Sequence, residues 1–474
     1  WLRNISNIRL FIMKNLLLKT IAAVVLVGCV DSLQSAPALE AKPEALTAET
    51  PDITNHELPH GKPEEVGMSS ERLKKIDELV QQYIDTDRIE GAVIGIIRQS
   101  KVIYLEAHGI LEGKTPKPMP EDSIFIMASS TKPVIGVATM ILIDDGLISP
   151  EDPVSKYIPE YKGLQVAIPL KSAGKSFNSN RKTKNKSFDK SKAKSKKGGF
   201  KNKKVEVPEY RLEKVNRPLT IHDLLTHTAG LGTKGGLGSI IAKDRAAPSD
   251  TLATWVPRMA ARPLDFQPGT RWAYSPGSGL KVVGRIIEIA SGMSLHEFIQ
   301  SRILDPLNMK DTYWDVPEDQ LYRMPYKLHN KAKGNGRVIG ENLSAYVSNA
   351  GGLFSTTRDY LHFQQMLVNG GALFGHQILK PETVAMMTTN QVDALFSQTA
   401  KGGPGQGFGY TTAITLDQEK SRNGQIAGTF SWGGAAGTIS WTTPSEKLTV
   451  VYMVQKPSDL PNKIRAIVRE AIID

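Results

Sequence analysis

Cysteine is almost missing from this 474-residue chain: Cys29 stands alone. With no second cysteine there is no disulfide, no cysteine metal site and, beyond position 29, no thiol nucleophile. Long apolar runs are missing too, and none approaches the roughly 20 residues that a bilayer-spanning helix requires. Clusters of His, Asp and Glu with metal-ligand spacing are also absent, so neither a metal nor a cofactor is expected. What the chain does have is a hydrophobic fraction of 40%. At this length that is enough to bury one large core or two smaller ones.

A net charge of +11 invites a nucleic-acid reading until the charge is located. Residues 171–204 carry fourteen Lys and Arg against the single acid Asp189, and residues 1–29 add Arg3, Arg9, Lys14 and Lys19. Everything else is mildly acidic, so no nucleic-acid partner is expected. From Met13 the chain reads MKNLLLKTIAAVVLVGC, a short cationic start and a brief apolar run that predict an export signal over residues 1–29. Cys29 closes Leu26-Val27-Gly28-Cys29, which resembles the lipobox of bacterial lipoproteins, where the cysteine is acylated. The alternative is cleavage after Ala38 in Ala36-Pro37-Ala38. The expectation is an exported protein of the periplasm or cell envelope, anchored to a membrane through Cys29.

Residues 30–60, rich in Ala, Pro and Glu, read as a tether, with folding starting near Pro63. Ser69 caps a helix carrying Leu73, Ile76, Val80 and Tyr83, and GAVIGIIRQSKVIYLEAHG is a hairpin turning at Gln99-Ser100. An apolar helix runs from Ser129 to Gly146. The basic tract 171–204 interrupts a second helical region that resumes at LTIHDLLTHTAGL. Its Lys, Ser, Asn and Gly cannot bury enough apolar surface to order it, which predicts a surface insertion, with contact to an anionic surface as the alternative. Further helices follow, one opened by the Ser294 and Glu297 capping box. The last third alternates in FGYTTAITL, GTFSW, GTISWTT and KLTVVYMVQ, then ends in an amphipathic helix. Strands at both ends with helices between predict an α+β fold: an antiparallel sheet flanked by helices, with a mainly helical region inserted. Residues 61–125 and 345–474 would form the sheet domain and residues 126–344 the helical one.

The chemistry turns on IFIMASSTKPV at 124–134, where Ser129 and Lys132 stand three apart and share a helix face. A serine hydroxyl attacks well only when something takes its proton, and a lysine does so only when desolvation or a nearby cation lowers its pKa. Bare S-x-x-K also begins at Ser172, Ser179, Ser187 and Ser191, so the motif alone decides nothing. Two later segments add specificity: Tyr274-Ser275 before a helix, and Trp432-Gly433-Gly434 on a strand. With these three motifs in order, residues 60–456 resemble the serine β-lactamase and penicillin-recognising enzyme family, and most closely its family VIII carboxylesterases.

The resemblance implies that Ser129 is the acylated nucleophile, Lys132 its general base and Tyr274 a second acid and base. A phenol fills that role if a neighbouring ammonium favours its ionised form. The resemblance also implies an oxyanion hole from the N–H groups of Ser129 and Ala435, and a β-lactamase-like fold. The substrate pocket would include Ser275, Trp432, Gly433 and Gly434, with Trp432 either lining the pocket or merely packing. β-Lactamases and D,D-peptidases usually carry Lys or His at the Trp432 position and Asn at the Pro276 position. Without those polar anchors, the expected substrate is a small neutral ester and the expected activity a short-chain carboxylesterase. An amidase, β-lactamase or D,D-peptidase is the alternative, and a non-enzymatic surface lipoprotein binding anionic polymers is a second. His227 suggests a Ser-His-Asp triad, but no G-x-S-x-G elbow is present, and His227 reads as a satisfied buried histidine.

Overall fold

The computed structural model describes residues 56–111, 117–170, 207–325 and 352–473, less 243, 248 and 423. Cys29, the expected export signal, most of the tether and the basic tract 171–204 lie outside the described residues. The folded body begins a little before Pro63. Leu58 is buried and His60 bridges to Val102, so the last residues expected in the tether already pack on the sheet.

A helix at Lys75–Asp85 (α1) leads into β1 (Gly91–Arg98) and β2 (Lys101–Leu111). Every residue of β1 is buried, as its apolar run from Gly91 to Ile97 requires of a strand covered on both faces, and Arg98 at its end is paired with Glu446. Gln99 and Ser100 have φ of 50° and 63°, the two left-handed residues of a tight hairpin turn. After β3 (Lys117–Pro118) and β4 (Phe125–Ile126) comes a helix at Lys132–Asp144 (α2), buried from Lys132 through Leu142. A helix apolar all round belongs in the middle of a core, and α2 packs there against the helix Ser278–Ser291 (α3).

The flanks of the basic tract differ from the sequence expectation. They are not helical: β5 (Gln165–Pro169) and β6 (Tyr210–Lys214) form an antiparallel ribbon from Gln165↔Lys214 to Pro169↔Tyr210. Each strand satisfies its backbone through a partner more than forty residues away, which no local periodicity reveals.

Beyond α3, β7 (Phe354–Ser355) pairs with β4, and the helix Thr357–Val368 (α4) lies across the sheet. At Gly95 a Cβ would stand 2.5 Å from Leu361 Cδ1, so the bare backbone lets α4 approach β1 closely. After a short ribbon of β8 (Ala372–Leu373) and β9 (His376–Gln377) come β10 (Gln406–Phe408), β11 (Ala413–Thr415), β12 (Phe430–Gly433), β13 (Ile439–Thr443) and β14 (Leu448–Met453). The eight-stranded antiparallel sheet has the order β10-β11-β12-β13-β14-β1-β2-β3. Its early and late strands join where β14 pairs with β1, from Val93↔Met453 to Arg98↔Leu448. The last helix, Leu460–Ala471 (α5), and α1 cover one face through Ile76, Val80, Ile464 and Val468, while α2 and α4 cover the other. This is the α+β arrangement the sequence predicts, with the helical segment inserted between the two halves of one sheet.

Candidate active site

Ser129 stands in a single 3₁₀ turn, Ala128–Thr131, and Lys132 is the first residue of α2. The residue before the serine, Ala128, has φ of 45°, a left-handed conformation disfavoured for any residue with a Cβ. Neighbours fix the turn: Met127 N–H donates to the Leu353 carbonyl at 2.9 Å, and the Tyr360 hydroxyl donates to the Ser130 carbonyl at 2.8 Å. On its other side lies the end of β12. A Cβ on Gly434 would stand 2.3 Å from the Met127 carbonyl oxygen, so only glycine lets the strand edge come this close. Thr438 Oγ1 donates to that same carbonyl at 3.2 Å. Ala435 follows in the turn that Gly437 N–H closes onto the Gly434 carbonyl at 3.0 Å.

Three of the expected residues meet at one oxygen. Lys132 Nζ donates to Ser129 Oγ at 3.1 Å, and Ser129 Oγ shares a hydrogen bond with the Tyr274 hydroxyl at 2.6 Å. Lys132 is wholly buried. Desolvation, assisted by the charge of Lys401, lowers its pKa to about 7, so near neutral pH a large fraction is free amine. For Tyr274 the role implied by the resemblance depends on whether neighbouring ammonium groups favour its ionised form. Ammonium groups do lie near its ring, but burial prevails and raises its pKa, with the Ser129 hydrogen bond only partly offsetting the effect.

Trp432 is buried on β12 with its ring centroid 5.7 Å from that of Tyr274. It belongs to an aromatic wall with Trp272, Phe396 and Phe408, so it packs and stands beside the reacting groups at once. Ser275 is buried, and its hydroxyl accepts the Gly279 N–H at 3.1 Å at the entry to α3. His227 is buried as expected, but it is not satisfied. Neither ring nitrogen has a partner among the described residues. Its ring lies 4.8 Å from that of Tyr274, and desolvation with the charges of Lys132 and Lys401 holds its pKa well below the usual value. A neutral imidazole without a carboxylate partner is no triad base.

Sequence reasoning missed Lys401. It enters from the loop between Asn390 and β10, and its Nζ stands 4.0 Å from the ring centroids of both Tyr274 and Trp432. Desolvation lowers its pKa to about 8. The site therefore does hold a second cation, delivered by a loop instead of by the strand position that Trp432 occupies. A lysine in KGGPGQG carries no local signal that separates it from any other loop lysine.

A nucleophile with a buried amine and a phenol on the same hydroxyl can transfer an acyl group through a covalent intermediate. Comparison with known proteins agrees with this chemistry. Residues 76–473 match the family described as Beta-lactamase. Protein Rv1367c of Mycobacterium tuberculosis is 30% identical over 396 residues, covering 80% of this chain and 89% of that protein. Esterase EstB of Burkholderia gladioli is 28% identical over 397 residues, covering 77% and 86%. Among solved structures, EstCE1, a hydrolase with promiscuous acyltransferase activity, superposes with a TM-score of 0.61 at 24% identity, covering 84% of this chain and 98% of that one.

Proposed function

This chain belongs to the beta-lactamase family of serine hydrolases, and we propose that within it the protein is a carboxylesterase acting on small esters through an acyl-enzyme on Ser129. The observation that carries the reading is the single hydroxyl held by a depressed-pKa amine and a neutral phenol, at 3.1 and 2.6 Å. Lys132 takes the Ser129 proton as Oγ attacks the ester carbonyl. The N–H groups of Ser129 and Ala435 receive the oxyanion, a contribution of several kcal/mol to the barrier when two donors are preorganised. As the ester C–O bond breaks, the Tyr274 hydroxyl protonates the departing alkoxide, and the Lys132 ammonium returns its proton to the phenolate. In the second half the same pair takes a proton from water as the water attacks the acyl carbon. The carboxylic acid then leaves and Ser129 regains its hydrogen. The esterase assignment draws on the similarity to EstB and on an aromatic wall suited to an apolar ester group.

The test is labelling with a fluorophosphonate probe followed by peptide mass spectrometry. The adduct should fall on Ser129 and vanish in Ser129→Ala, together with hydrolysis of phenyl butyrate. A folded Ser129→Ala variant that still hydrolyses the ester at the wild-type rate would refute the reading. We also propose that the protein is exported and lipid-anchored at Cys29. Incorporation of labelled palmitate should be lost in Cys29→Ala.

A further inference from the structure

Lys401 is an exposed residue whose ammonium nevertheless lies among rings. Its Nζ is 4.0 Å from the centroids of Tyr274 and Trp432 and 5.9 Å from that of Trp272, and among the described residues no carboxylate pairs with it. Ring faces attract a cation, but less strongly than an oxygen acceptor that replaces the lost water. The charges bearing on His227 at the centre of this region are the ammonium groups of Lys132 and Lys401.

The loop that delivers Lys401 is tied down on both sides of it. Arg422 Nη1 donates to the Ala400 carbonyl at 3.1 Å, Gly402 N–H donates to Thr399 Oγ1 at 3.0 Å, and Gly403 N–H donates to the Thr399 carbonyl at 3.0 Å. An ammonium held over the Tyr274 ring, whose hydroxyl bonds Ser129, and without a carboxylate of its own among the described residues is placed to meet an anion carried by the substrate.

Resting on the hydrolase reading above, we propose that Lys401 is a specificity-determining residue that receives a carboxylate on the substrate, away from the ester being cleaved. The preferred substrate is then a monoanionic ester, contrary to the neutral one that the absence of a cation at the Trp432 position suggests. The carboxylate takes no part in bond breaking. It accepts from Nζ, and so orients the ester over Ser129.

The experiment compares kcat/KM for phenyl butyrate, for 4-(butyryloxy)benzoate, with its carboxylate on the alcohol side, and for monophenyl adipate, with its carboxylate on the acyl side. One of the two anionic esters should be favoured over the neutral one by roughly ten- to a hundredfold, the worth of a charge-assisted hydrogen bond. That preference should weaken with added salt. Lys401→Met should reduce the ratio to near one, and Lys401→Arg should retain most of it. Equal or better use of phenyl butyrate by the wild type, or a preference that survives in Lys401→Met, overturns the proposal while leaving the esterase reading intact. If the wild type cleaves none of the three, the esterase reading fails. The anion site is then decided by calorimetric binding of the same esters to Ser129→Ala with and without Lys401→Met. Should Lys401→Met fail to fold, Lys401→Gln takes its place and should likewise reduce the ratio to near one.

Discussion

The state of Lys132 makes the pH profile a sharp test. The amine works as a base only when unprotonated. With a pKa lowered to about 7, kcat/KM for a neutral ester should rise tenfold per pH unit below that value and level off above it. The first cause of the lowering is desolvation and the second is Lys401. Lys132 Nζ lies 5.3 Å from the Tyr274 ring centroid and Lys401 Nζ lies 4.0 Å from it, so the two nitrogens are no more than about 9 Å apart. Two unit charges at that distance repel by roughly 2 kcal/mol at an effective dielectric of 20, which corresponds to about one pH unit. Burial disfavours the charged forms of His227 and Tyr274, which also face Lys132. Lys401→Met therefore removes a positive neighbour, lets Lys132 hold its proton more tightly, and moves the rising limb to higher pH by on the order of one unit. The assay is kcat/KM for phenyl butyrate between pH 5 and 9 in both proteins. A flat profile through pH 6 to 8 in the wild type, or a limb that stays in place in Lys401→Met, would refute the assignment of Lys132 as the titrating base.

Tyr274→Phe should lower kcat by roughly 10²- to 10⁴-fold. Combining it with Lys132→Ala should cost little more than the worse single change, because the two groups act as a unit; near-normal kcat in Tyr274→Phe would remove the phenol from the mechanism. His227→Ala empties a site packed against Trp272, Tyr274 and Phe408 and should cost roughly 2–4 kcal/mol in urea unfolding. A stable but inactive variant would instead point to a chemical role. Deleting 171–204 should weaken salt-sensitive binding of the unacylated protein to anionic vesicles and leave ester hydrolysis in solution nearly unchanged. Equal vesicle binding with and without the tract would reduce it to a solvated loop.

Much of the site is legible in the sequence because its parts are local. Ser129 and Lys132 are three apart on one turn, Tyr274 directly precedes the first turn of α3, and Gly433-Gly434 ends a strand of alternating character, so each motif carries its own geometry. The hairpin at Gln99-Ser100 and the caps at Ser69 and Ser294 are legible for the same reason. What sequence reasoning misses arises only on folding. The ribbon of β5 and β6 depends on a distant partner. The missing partners of His227 depend on which side chains surround it, and the place of Lys401 depends on how a glycine-rich loop folds back onto an aromatic wall. Position along the chain reports which groups are present. The potential each one feels is set by burial and by charges from elsewhere, which is why burial raises the Tyr274 pKa although ammonium groups lie near its ring.

The pairing of β1 with β14 also sets a clock for biosynthesis. β1 is complete at Arg98, yet its second neighbour does not exist until Met453 has been made, some 350 residues later. At about 5–20 residues per second a ribosome needs on the order of 20 to 70 seconds to cover that stretch. During this time a strand apolar from Gly91 to Ile97 has one edge satisfied by β2 and the other open, the kind of edge that recruits other chains. Truncation anywhere before β14 leaves the two halves of the sheet unjoined, so the open edge of β1 is closed only when all but about the last twenty residues have been made.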